Sequence, residues 1–152
     1  VSVRERLVDA ARGGRAEELA AAVATDRRAL RHLVALTYRP EPEIRAAAAR
    51  GIALAGRHHP KLVQETARRL VWAMNDESGT HAVTAPEVLR AIAEESPELL
   101  LPLVPNLLGL TADPGLREAL VEVVRLVARN DPKATAQGMA RAITSCERTG
   151  RS

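Results

Sequence analysis

Phenylalanine is absent from this 152-residue chain, which has one tyrosine, Tyr38, and one tryptophan, Trp72. A core without aromatic rings must use aliphatic side chains at short helix–helix distances. The apolar content is mainly Ala, Leu and Val, and Ala and Leu are strong helix formers. Lysine is scarce as well: only Lys61 and Lys133 join 20 Arg among the 22 basic side chains. The one cysteine, Cys146, excludes an internal disulfide and reads as a small apolar filler, and a reduced, cytoplasmic setting is expected. No run of about 18 apolar residues occurs, so no membrane span is expected. Val1 to Arg12 carries charges throughout and has no apolar leader core. There is no Cys pair, no Gly-rich phosphate loop and no Gly-x-Ser-x-Gly turn. His58 and His59 are neighbours that point in different directions on a helix, and His32 stands alone, so no metal or cofactor is expected.

What is present is the pattern of helices. Three prolines follow a residue with a short oxygen side chain: Ser96-Pro97, Asp113-Pro114 and Asp131-Pro132. The oxygen accepts from a free N–H of the first turn, and proline at the first helical position lacks an N–H that would be unpaired anyway. Ser2 with Glu5 and Thr84 with Glu87 have the spacing of a capping box. Pro42 and Pro60 start helices with poorer caps. Leu116, Ala119, Leu120, Val123 and Val127 recur at helical spacing, as do Val63, Ala67, Leu70 and Met74. The spacing predicts helices over 3–12, 16–25, 27–37, 42–57, 60–74, 85–95, 97–109, 114–129 and 132–147. Pro102 and Pro105 each remove a donor inside the seventh, which should be kinked or broken there. No sustained two-residue alternation occurs, so the fold class is all-α.

The chain also repeats itself. Pro60, Pro97 and Pro132 start equivalent helices, 37 and 35 residues apart. Counting back from each proline aligns Ile52 with Leu89 and Val124, Ala48 with Ala85 and Leu120, and Gly56 with Ala93 and Ala128. A period near 35 with two helices per unit is the pattern of an α-solenoid, in which stacked helix pairs share a continuous core. On these positions the units 27–57, 60–95 and 97–129 resemble HEAT repeats of the short, HEAT-like kind, over about 27–147. The resemblance implies a short right-handed α-α superhelix, armadillo-like. Residues 1–25 would be an N-terminal cap, and 132–147 a C-terminal capping helix, of a single domain spanning 1–152. The stretch Trp72 to Gly79, followed by Ala85-Pro86-Glu87, is also similar to one in uncharacterised bacterial HEAT-like proteins. There the intervening residues tend to be Gly-rich with a Trp, whereas this chain has Thr80, His81, Ala82, Val83 and Thr84. That family implies no activity.

Two regions are candidate sites. The first is the polar segment after the fifth helix: Asn75, Asp76, Glu77, Ser78 and His81. Two carboxylates near an imidazole suit acid–base chemistry or a metal, while Asn75 and Gly79 equally suit a plain helix stop. Trp72 belongs with this segment. It falls off the apolar stripe and in a polar row with Lys61, Glu65 and Arg68, where Arg68 or Arg69 could stack on it. Either it is an exposed anchor for a partner, or a neighbouring repeat covers it. The second region is basic. Residues 1–75 hold 14 basic and 8 acidic side chains, net +6, and residues 76–152 hold 8 and 11, net −3. Arg45, Arg50, Arg57, Arg68 and Arg69 form the expected basic surface, with Arg50 and Arg57 two turns apart on one helix. Some HEAT-like proteins are DNA glycosylases with aromatic residues around a lesion. This chain has almost no ring to stack on a base, which disfavours nucleic acid.

The expected function is therefore non-covalent: a protein–protein interaction or scaffold module whose partner is another protein. An enzyme or enzyme subunit acting at the 75–84 loop is the alternative from another class. Weak nucleic-acid binding through the Arg-rich half is the third.

Overall fold

The prolines mark helix starts. The computed structural model describes residues 2–75 and 84–150, with the backbone alone for 142 and 145–150. Its helices are α1 (Val3–Arg12), α2 (Ala16–Thr25), α3 (Leu30–Leu36), α4 (Pro42–Ala55), α5 (Pro60–Asn75), α6 (Ala85–Glu95), α7 (Val104–Leu110), α8 (Pro114–Asn130) and α9 (Pro132–Gly150). Two 3-10 segments, Arg27–Ala29 and Pro97–Leu103, lead into α3 and α7. Among the described residues there is no strand. The break expected at Pro102 and Pro105 is present: the chain runs as a 3-10 segment through Pro102, and α7 begins one residue before Pro105.

Three of the expected caps form. The Ser2 hydroxyl accepts from the Glu5 N–H at 3.1 Å while the Glu5 carboxylate accepts from the Ser2 N–H at 3.3 Å, a complete capping box. Asp113 accepts from the Gly115 N–H at 2.8 Å and Asp131 from the Ala134 N–H at 3.0 Å. Two expected caps fail. Thr84 has helical backbone angles (φ −101°, ψ −18°), so its hydroxyl does not swing over the first turn of α6, and the box with Glu87 is not formed. Ser96 (φ −146°, ψ 65°) makes no side-chain cap either, and it is buried.

Packing runs between alternate helices. α2 lies against α4, α4 against α6 and α6 against α8, while α5 meets α7 and α7 meets α9; chain neighbours such as α3 and α4, or α7 and α8, also pack together. The positions aligned by the repeat are core positions. Ile52, Leu89 and Val124 are buried, as are Ala48, Ala85 and Leu120. Gly56 and Ala93 are buried too, with Ala128 half-buried. Each large aliphatic side chain so covered contributes about 1.5–3 kcal/mol over its exposed state. The stripe of α5 is buried at Val63, Ala67, Leu70 and Met74. On α8 Leu116, Leu120, Val123 and Val127 are buried, but Ala119 is exposed at the rim of the stripe.

Small residues set the helix spacing, as a core without rings requires. A Cβ added to Gly51 would lie 2.9 Å from the Leu19 Cβ, so α4 rides directly on α2 at that point. α9 approaches α7 in the same way, since a Cβ on Gly138 would lie 3.2 Å from Val104 Cγ1.

Candidate functional site: the Trp72 face and the groove between α4 and α6

Trp72 projects from the last turns of α5 and is 71% exposed. Its helix buries the opposite face, so the indole is outside the core, and no other helix among the described residues covers it. The polar row beside it is ion-paired. Arg68 lies 2.9 Å and Arg69 3.7 Å from the same Glu65 carboxylate. Two Arg and Lys61 against one Glu leave this face with a net positive charge. Asn75 ends α5, its side-chain N–H donating to the Val71 carbonyl at 3.5 Å. Asp76, Glu77, Ser78 and His81 lie outside the described residues. Among the described residues no group of three or more His, Cys, Asp or Glu side chains is placed to hold a metal ion.

Along α4, carboxylates distant in sequence pair with part of the expected basic surface. Arg57 lies 3.1 Å from Glu95 and Arg45 3.5 Å from Glu87, so two of its guanidiniums are tied to α6. Between these pairs runs a groove of about 510 Å³ floored by Ala46, Ala49 and Ala91 and edged by Arg50, Arg90 and Glu94. Of the five expected basic-surface residues, only Arg50 has no carboxylate partner among the described residues. Further toward the N-terminus, Arg39 lies 2.8 Å from Glu41, with Arg12 at 4.0 Å from the same carboxylate. The Arg39 guanidinium holds the Glu41 carboxyl below the usual range.

Arg45 has a further role that its charge did not signal. Its Nη1 donates to the carbonyls of Arg39 at 2.9 Å and Pro40 at 2.8 Å, closing the turn between α3 and α4. Arg117 does the same before α8, donating to the carbonyls of Thr111 at 2.8 Å and Ala112 at 3.4 Å. Sequence reasoning missed Arg117 altogether. The available signal was that both arginines sit three residues after a helix-starting proline, Pro42 and Pro114.

No helix among the described residues is long and apolar enough to cross a membrane. No family model, curated protein or solved structure matches the chain.

Proposed function

We propose that this chain is a protein-interaction module built as a short HEAT-like α-solenoid, and that it binds its partner through the Trp72 face. The solenoid reading is supported by packing between alternate helices, by the burial of the aligned positions and by the paired turn closures of Arg45 and Arg117. The observation that carries the function is the exposure of Trp72, the one tryptophan of the chain, on an otherwise polar helix face. Leaving an indole in water forgoes a large burial gain, and tryptophan with arginine is the combination enriched at binding hot spots. The net positive charge of Lys61, Arg68 and Arg69 over Glu65 favours a partner segment with an apolar side chain flanked by acidic residues.

Cross-carboxylate pairing disfavours nucleic acid on the α4 side, since Arg45 and Arg57 are already neutralised. A photo-activatable cross-linker at position 72 tests the proposal. It should join the chain to a distinct protein, whereas the same group at the exposed Glu118 of α8 should not. Equal yields of the same product from both positions would refute the assignment of the face.

A further inference from the structure

A second hollow, also of about 510 Å³, opens among α1, α2 and the segment that leads into α3. Its floor is apolar, with Leu7 and Ala29 buried and Ala22 half-buried, and Val3 is 50% exposed at one edge. Arg6, Arg28, Arg31 and His32 also line it, against the carboxylates of Glu18 and Asp26.

Both carboxylates are engaged. Glu18 is held by Arg15 at 2.8 Å. Asp26 accepts from the Arg28 N–H at 3.0 Å and from its Nε at 3.2 Å, which keeps the carboxyl ionised and below the usual aspartate range, with Arg31 adding a weaker pull. The guanidiniums of Arg6, contributed by α1, and Arg31, contributed by α3, have no hydrogen bond or ion pair among the described residues. The hollow therefore combines an aliphatic floor, two unpaired guanidiniums from different helices and an imidazole. Ligand sites are commonly clefts of roughly 300–1,000 Å³ with a mostly apolar lining and a few charged groups that fix orientation. Two guanidiniums lining one hollow favour an oxyanion, and the floor favours a carbon chain.

We infer that this hollow binds a small amphiphilic anion, with its carboxylate or phosphate between Arg6 and Arg31 and its aliphatic body on Leu7, Ala22 and Ala29. The site shares no lining residue with the Trp72 face. The floor distinguishes it from a surface that merely attracts counterions: affinity should rise with chain length as well as with charge.

The test is a titration of the full chain with octanoate, octyl phosphate, acetate and inorganic phosphate, followed by calorimetry and by the amide resonances of Leu7, Ala22 and Ala29. An eight-carbon anion should bind one to one and at least about tenfold more tightly than its short counterpart, the gain expected from covering even two methylenes. The tighter of octanoate and octyl phosphate names the head group. Arg6→Gln with Arg31→Gln should weaken that binding at least about tenfold, each change removing a charge-assisted contact. Both residues are exposed, so the variant should keep its helical circular dichroism. Arg129→Gln, at the far end of α8, should bind as the unaltered chain does. Equal affinity for long and short anions, no saturable binding of either eight-carbon anion, or binding that survives the double substitution would overturn the inference.

Discussion

Arg45 and Arg117 occupy the same place in two helix pairs: each reaches back from the first turn of its helix to the carbonyls five and six residues earlier. They are 72 residues apart, which is the combined spacing of Pro60, Pro97 and Pro132. The spacing read from the prolines thus recurs in a polar contact. Each guanidinium satisfies carbonyls left free where the preceding helix ends. Hydrogen bonds from charged donors contribute about 1.5–3 kcal/mol when sheltered, and less at a surface. Arg45→Ala and Arg117→Ala should each lower unfolding free energy by roughly 1 kcal/mol in urea titrations. Arg50→Ala, with no such contact, should leave it within about 0.5 kcal/mol.

Glycines separate tight from loose helix contacts. Gly51→Ala drives a methyl to 2.9 Å from the Leu19 Cβ, an atom fixed to its own backbone. Overpacking of this kind costs about 1–3 kcal/mol, which outweighs the gain of about 1 kcal/mol in helix propensity. Gly109, in α7, has no neighbouring atom within 4 Å of an added Cβ. Gly109→Ala should therefore stabilise, by roughly 0.5 kcal/mol so near the helix end. Thermal midpoints should move in opposite directions.

Acid should weaken the N-terminal turn at Asp26. Hydrogen bonding from the Arg28 N–H and then its guanidinium holds the folded pKa below the unfolded one. The stabilisation is complete above the unfolded value and is lost as pH falls through the folded value. Asp26→Asn keeps an oxygen acceptor for the Arg28 N–H but cannot titrate. Its unfolding midpoint should fall less between pH 5 and pH 2 than that of the unaltered chain, in the acid range where aspartate titrates. An identical decline in both would assign the effect to other carboxylates, with Glu41 next in order.

Protection should peak in α4. α4 packs against α1, α2, α3, α5 and α6, and it buries Ile44, Ala47, Ala48 and Ile52 along one run. Its amides should exchange most slowly, and those of α1 and α9 faster, as terminal units open locally. Ile52→Ala should cost about 2–5 kcal/mol, being a fully buried truncation.

The helices were legible because their signals are local. A capping oxygen, a proline and a stripe of Leu and Val act within one or two turns, and so Pro114, Pro132 and the stripe of α5 read correctly. Two caps did not: Thr84 has helical backbone angles, and the Ser96 side chain makes no bond to the first turn of its helix. The site was less legible. A run of arginines is plain in sequence, but the pairing of Arg45 with Glu87 and of Arg57 with Glu95 depends on carboxylates that arrive from another helix. Arg6 and Arg31 share a hollow only because α1 and α3 meet, which nothing in either helix announces. Trp72 was readable as lying off the stripe, but whether a neighbour covered it depended on packing.

The most direct measurement of the central claim compares capture by the unaltered chain and by Trp72→Ala from extracts of the native host. Trp72 is 71% exposed, so the substitution should change stability by less than about 0.5 kcal/mol. A hot-spot tryptophan contributes about 2 kcal/mol or more to binding, roughly 30-fold in affinity. One protein should be retained in stoichiometric amount by the unaltered chain and lost with Trp72→Ala. Adding that purified protein back should shift the Trp72 emission to the blue as the indole leaves water. Retention of the same proteins by both chains, with the emission unmoved, would contradict the claim.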